Sequence, residues 1–120
     1  MATEAIDLRD LMRKIQEMKK MDANFALEFD CVIEVEDINP LVKVINYSIN
    51  YINQLSDQKL QVSLNQSMSG ITLGFTIFTD TTELAAINEQ VNESLKQYKA
   101  SIELKKETGK FAQLLISFEK

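Results

Sequence analysis

The chain has 120 residues, 45% of them apolar and 26% charged, and a formal net charge of −5. That is the make-up of one soluble globular domain with a real core. It holds no histidine, no tryptophan and one cysteine, Cys31. These absences exclude a histidine relay, a phosphorylatable histidine and an internal disulfide, and they leave zinc without its usual ligands.

The negative charge is concentrated. Residues 1–20 carry five basic and four acidic side chains, and residues 43–120 carry eight of each. The six acids Asp22, Glu28, Asp30, Glu34, Glu36 and Asp37 lie in 21–42, which has no base at all. An acidic chain of this kind is not expected to bind nucleic acid or an anionic membrane. No apolar run approaches the length of a membrane span, and MATEAIDLRD lacks the basic-then-apolar order of a signal peptide. A cytoplasmic setting is the expectation.

Residues 3–22 read as a helix: Leu8, Leu11, Met12, Ile15 and Met18 recur at three and four, with Thr3 or Asp7 as the cap. FALEFDCVIEVED, 25–37, alternates for a dozen residues and predicts one long half-buried strand or two short ones in line. Phe25, Leu27, Phe29, Cys31, Ile33 and Val35 face one way. Glu28, Asp30, Glu34 and Glu36 face the other, as a soluble outer row or a docking surface.

Asn39-Pro40 opens a second helix, with asparagine at the cap and proline in the first turn. At about 100° per residue, Leu41, Val44, Ile45, Ser48, Ile52 and Leu55 define its core side. Asn46, Asn50 and Asn53 lie roughly 120–180° away, and Tyr47 with Tyr51 forms a separate flank.

LQVSLNQ (60–66) and ITLGFTIFT (71–79) predict a hairpin turning at 67–70. Asp80, Thr81 and Thr82 then offer caps, Glu83 completes a capping box with Asp80, and a third helix is expected to begin near Glu83. Residues 101–118 predict a second hairpin turning at Thr108-Gly109. The order α-β-α-β-β-α-β-β implies an α+β fold, a two-layer sandwich with a mixed sheet and helices on one face. A ferredoxin-like core with an extra strand is the alternative; it would suit a small-molecule regulatory domain. GFTIF, 74–78, matches only the end of an RNA-stacking strand motif, and Phe75 shares its face with Ile71, Leu73 and Ile77, as a core residue does.

From Phe25 to Phe118 the chain resembles the ATP-binding domain of the GHKL superfamily, most closely its histidine-kinase branch. NPLVKVINYSINYI is similar to the kinase N-box helix. On that resemblance Asn50 stands where the family has its magnesium-binding asparagine, and Asn46 stands one turn earlier. The hairpin LQVSLNQSMSGITLGFTIFTD leads to Asp80, where the family has the aspartate that accepts the adenine amino group. ELAAINEQVNESLKQYKASIELKKETGKFAQLLISF looks like the family's closing helix and hairpin. The length reads as one domain over 1–120, with an N-terminal helix in 1–22 by its periodicity and, on the resemblance, an ATPase-like core over 25–120.

The departures bear on function. The family follows its aspartate with two glycines so that the backbone can approach adenine without a Cβ. Here Thr81, Thr82 and Glu83 follow Asp80. Gly70, Gly74 and Gly109 are the only glycines in the chain, and none can form a phosphate-holding loop or flank a lid. The expectation is therefore a non-catalytic signalling or assembly module, with no catalytic residue, no cofactor and no metal. Asn46, Asn50 and Asp80 would be vestigial nucleotide-site positions. The module would act through a protein partner, with Glu28, Asp30, Glu34, Glu36 and Asn53 as the candidate surface and a homodimer as one arrangement. The alternative enzyme reading is an ATP-binding kinase or ATPase domain with an atypical pocket.

Overall fold

The computed structural model describes residues 3–81 and 83–119. Its elements are β1 (Glu4–Asp7), α1 (Leu8–Lys19), β2 (Ala23–Leu27), β3 (Val32–Val35), α2 (Asn39–Asn53), β4 (Leu60–Ser67), β5 (Gly70–Phe78), α3 (Glu89–Leu95), a single 3-10 turn (Lys96–Tyr98), β6 (Ala100–Glu107) and β7 (Phe111–Glu119). Five strands form one mixed sheet in the order β2-β4-β5-β7-β6, and β1 pairs with β3 in a separate two-stranded sheet. β2 runs parallel to β4 across the α2 connection, and all other pairs are antiparallel. Because β2 and β4 are direct neighbours, this is not the split βαβ arrangement of a ferredoxin-like core.

The core lies between this sheet and the helices. Leu60, Val62 and Leu64 of β4, Leu73, Phe75 and Ile77 of β5, and Leu114 and Ile116 of β7 are buried. They meet Leu41, Ile45, Ile49 and Ile52 of α2 and Leu95 of α3. Buried Ser48 returns its hydroxyl to the Val44 carbonyl at 2.9 Å, so it enters the core without a polar debt. Alternate residues such as Thr72, Thr76 and Gln113 project from the other face of the sheet, and Phe78 is 57% exposed there.

Three expected elements are corrected. The first helix begins at Leu8, not at residue 3, because Glu4–Asp7 pairs with β3 in the register Ile6↔Ile33. Asp7 is its cap, accepting from the N–H of Arg9 at 2.9 Å and of Asp10 at 3.4 Å, and Lys20 in the left-handed region ends it. The local pattern carries no sign of β1; a distant strand supplies the hydrogen bonds that make it one.

The alternating run 25–37 is two strands in two sheets. Asp30 has φ 61°, a conformation that aspartate tolerates better than most residues, and the chain turns there. Past the turn Cys31 is fully buried, and its carbonyl accepts from the Leu8 N–H at 2.8 Å. Phe29, expected on the apolar side, is 68% exposed with the Arg9 guanidinium 4.2 Å above its ring. The acidic row is broken in the same place: Glu28 follows β2, Asp30 is at the turn, and Glu34 and Glu36 belong to the β3 side.

The third helix also starts later than expected. Asn88, not Asp80, is its cap, accepting from the Gln90 N–H at 2.9 Å. Residues 79–88 have no regular structure where described, and the predicted Asp80–Glu83 capping box does not form; the Thr82 cap lies outside the described residues.

Candidate functional site

α2 is the element on which the candidate site is built. Its start is held from two directions. The Asp37 carboxylate accepts from the Asn39 N–H at 3.0 Å, so Asn39 is a capped residue rather than the cap itself. Tyr98 donates its hydroxyl to the Asp37 carbonyl at 2.6 Å and accepts from the Leu41 N–H at 3.1 Å. The bond from Leu41 satisfies one of the N–H groups that a helix start leaves without an intrahelical partner, and the bond to Asp37 holds the residue ahead of the cap. Burial pushes the Tyr98 phenol above its ordinary value, and the Asp37 carboxylate adds to this, while the bond from Leu41 works against it.

The helix presents three different sides besides its core. Tyr47 and Tyr51 turn toward the 79–88 segment and α3. The Tyr51 hydroxyl donates to the Ala85 carbonyl, and the Asn88 N–H donates to the Tyr47 hydroxyl at 3.2 Å. The two rings lie 6.1 Å apart, and Tyr51 is only 5% exposed. Burial raises its phenol pKa, with Tyr47 adding to the rise. On the opposite flank, Ile49 and Asn53 line a crevice of about 260 Å³ with Lys19, Lys20 and Asp22. Between these flanks lie Asn46, half-buried, and Asn50, exposed.

The 79–88 segment acts as a strap over the tyrosine side. At its start the hydroxyls of Thr79 and Thr81 both donate to the Leu55 carbonyl, at 2.8 and 3.2 Å, just past the end of α2. Its middle is joined to Tyr51 and its end to Tyr47. Leu84 and Ile87 pack from the strap onto the core.

A cleft of about 570 Å³ opens between the first half of α2 and α3. Asn39, Lys43 and Tyr47 line one wall, and Asn88, Gln90 and Ser94 the other. Asn46 and Asn50 do not line it. Asp80 is exposed in a different depression of about 380 Å³, beside Leu55, Ser56 and Asp57 at the far end of α2. Asn46 and Asn50 line neither that depression nor the cleft. Of the docking candidates, Asp30 and Glu34 border a common hollow with Lys99 and Glu119, while Asn53 belongs to the crevice beside α1. Glu34 accepts from the Thr3 hydroxyl at 2.9 Å.

Tyr47 and Tyr51 are the residues whose roles the sequence analysis left undefined. Their four-residue spacing did place them on one flank. What that flank would meet depended on a strap that was read as the start of a helix.

This arrangement, a mixed five-stranded sheet with helices on one face, is the fold of the ATP-binding domains of histidine kinases. The histidine kinase AdeS of Acinetobacter baumannii superposes with a TM-score of 0.72 at 13% identity, over 99% of this chain and 68% of that one. The ATP-binding domain of PrrB from Mycobacterium tuberculosis gives 0.66 at 15% identity, over 99% and 98%. The histidine kinase ThkA, solved in complex with the response regulator TrrA, gives 0.65 at 14% identity, over 98% of this chain and 42% of that one. No protein-family model matches the sequence, and no curated protein matches it.

Proposed function

We propose that the chain is a non-catalytic signalling or assembly module that keeps the histidine-kinase fold, does not bind ATP, and acts through contact with another protein. The observation that carries this reading is the pinned strap. Seven side-chain or backbone groups of α2, of Leu55 just past it and of the strap are already spent on each other, in four hydrogen bonds at Leu55, Tyr51–Ala85 and Tyr47–Asn88. Leu84 and Ile87 fill the space beneath. A triphosphate needs a run of backbone N–H groups or cations aimed at it. Beside Asp80 the chain offers Thr79 and Thr81, both committed to the Leu55 carbonyl, and further on the acidic Glu83. The residues present offer Mg-ATP no such cradle.

A protein partner agrees with the exposed Asn50 and the exposed acids Glu28, Asp30, Glu34 and Glu36. ThkA provides the precedent of this fold in complex with a response regulator. The second reading, an ATP-binding domain with an atypical pocket, draws on the cleft beside Lys43.

Titration calorimetry with Mg-ATP and Mg-ADP separates the two. No saturable heat and no rise in Tm are expected at millimolar nucleotide. A ligand at a hundred times its Kd would add about 2.7 kcal/mol of stability, so binding would be plain. Saturable micromolar binding would overturn the proposal, and its loss in Lys43→Ala would place the nucleotide in the cleft.

A further inference from the structure

We infer that β6 is a self-complementary edge, onto which a second copy of this chain adds antiparallel to join the two sheets. Among the described residues β6 pairs only with β7, in the register Ser101↔Ser117 and Glu103↔Leu115. The Glu119 N–H donates to the Lys99 carbonyl at 3.0 Å, which sets the phase of the ladder. Odd-numbered residues of β6 turn their backbone groups toward β7, and Ile102, Leu104 and Lys106 turn theirs outward. The Asn92 side chain agrees with this direction: it accepts from the Ile102 N–H from outside at 3.5 Å, the long limit of a hydrogen bond, and gives up this donor when a second copy pairs.

A two-fold pairing must set outward-facing residues opposite one another. Centring it on Glu103, Lys105 or Lys106 opposes like charges. Centring it on Ile102 makes no charge pair. Centring it on Leu104 sets Leu104 against Leu104 and Ile102 against Lys106 on the helix side. On the outer side it sets Glu103 against Lys105 twice over. Cross-strand neighbours of opposite charge favour a pairing, and like charges oppose it. Within the described chain neither Glu103 nor Lys105 takes part in an ion pair; the three that form are Asp22–Lys59, Glu93–Lys96 and Glu107–Lys110. Both side chains are exposed, and Ile102 and Leu104 are half-buried, so pairing covers apolar surface as well. A charged edge strand ordinarily repels its own copy. Here the spacing of one glutamate and one lysine two residues apart reverses that effect in a single register. The inference is independent of whether nucleotide binds.

The test is sedimentation equilibrium over a concentration series, at low and high salt. The wild-type chain is expected to dimerise, less so at high salt. Glu103→Lys alone and Lys105→Glu alone each place two like-charge pairs in the interface and should weaken it by on the order of tenfold or more. Mixed one to one, the two single variants should form a heterodimer, because every cross-strand pair is then opposite in charge. The double swap Glu103→Lys/Lys105→Glu should restore the homodimer. Both sites are solvent-exposed, so folding is unaffected, and circular dichroism checks this. A wild-type chain that stays monomeric to millimolar concentration would overturn the inference. So would a dimer indifferent to the single reversals, or one that mixing does not restore.

Discussion

The hydroxyl of Tyr51 donates to the carbonyl of Ala85, and this one bond ties the middle of α2 to the segment ahead of α3. The ring is nearly buried, while the bond it makes to exposed Ala85 is part-buried. Tyr51→Phe keeps the ring and removes the donor. A typical intramolecular hydrogen bond contributes about 0.5–1.5 kcal/mol, and the loss of stability in urea unfolding should fall in that range. Amide exchange in 83–88 should quicken more than exchange in β4 or β5, since the strap loses its central anchor. Uniform acceleration across the sheet would show that the bond does not hold the strap in particular.

Asn50 is exposed in the interior of a fifteen-residue helix. Asparagine is a poorer helix former than alanine because its amide competes for backbone groups. Its side chain takes no hydrogen bond from or to the described residues, so Asn50→Ala should stabilise the domain by about 0.5 kcal/mol. Chemical denaturation measures it. A clear loss of stability would mean that the amide has work to do inside the fold, contrary to a vestigial position.

Gly70 sits where the first hairpin closes, with φ +151°, a conformation that side chains rarely adopt. A Cβ there would stand 2.0 Å from the Phe118 carbonyl oxygen of the neighbouring strand. Gly70→Ala must therefore either shift β7 or open the turn, and it should cost well over about 1 kcal/mol. Gly109, in the other hairpin, has φ +78° and nothing within 4 Å of the added Cβ. Gly109→Ala meets only the left-handed backbone penalty of about 1–2 kcal/mol. The order of the two midpoints in urea checks the argument; equal losses would show that the Phe118 contact relaxes freely.

These contrasts show what could be read from the sequence and what could not. The two hairpins, the α2 core side and the burial of Phe75 and Cys31 followed from local periodicity and turn residues, which act over a few positions. β1 did not, because Ile6 becomes part of a strand only through pairing with Ile33. Two strands over 25–37 were one of the two readings, but the place of the break at Asp30 was not legible for a related reason: alternation continues across it, and only the sheet each half joins tells them apart. The strap was misread because Leu84 and Ile87 have helical spacing with Val91, although their packing holds them in an irregular segment. For the candidate site, the outward position of Asn50 was legible from helix geometry. The place of Asp80 beside Leu55 and Asp57 was not, since it depends on where the strap runs.

Tyr98 and Tyr51 give the domain a pH dependence at the alkaline end. Both phenols ionise above the ordinary tyrosine value of 10.0 in the folded chain, chiefly because burial disfavours the phenolate. Below that value they are protonated in both states, and their contribution to stability is fully present. As pH rises past it, the unfolded chain releases protons that the folded chain retains, so stability falls until the folded groups ionise too. Tyr98→Phe removes one of these groups, and it leaves the Leu41 N–H and Asp37 carbonyl without the hydroxyl. At neutral pH it should cost about 1–3 kcal/mol, as loss of a partner from buried backbone groups does. Above pH 10 its stability should decline less steeply than that of the wild type, so the two curves converge. Urea titrations at pH 7 to 11 test both parts. Parallel curves would mean that the folded and unfolded tyrosines ionise alike, and that the clamp on the start of α2 does not discriminate the phenol from the phenolate.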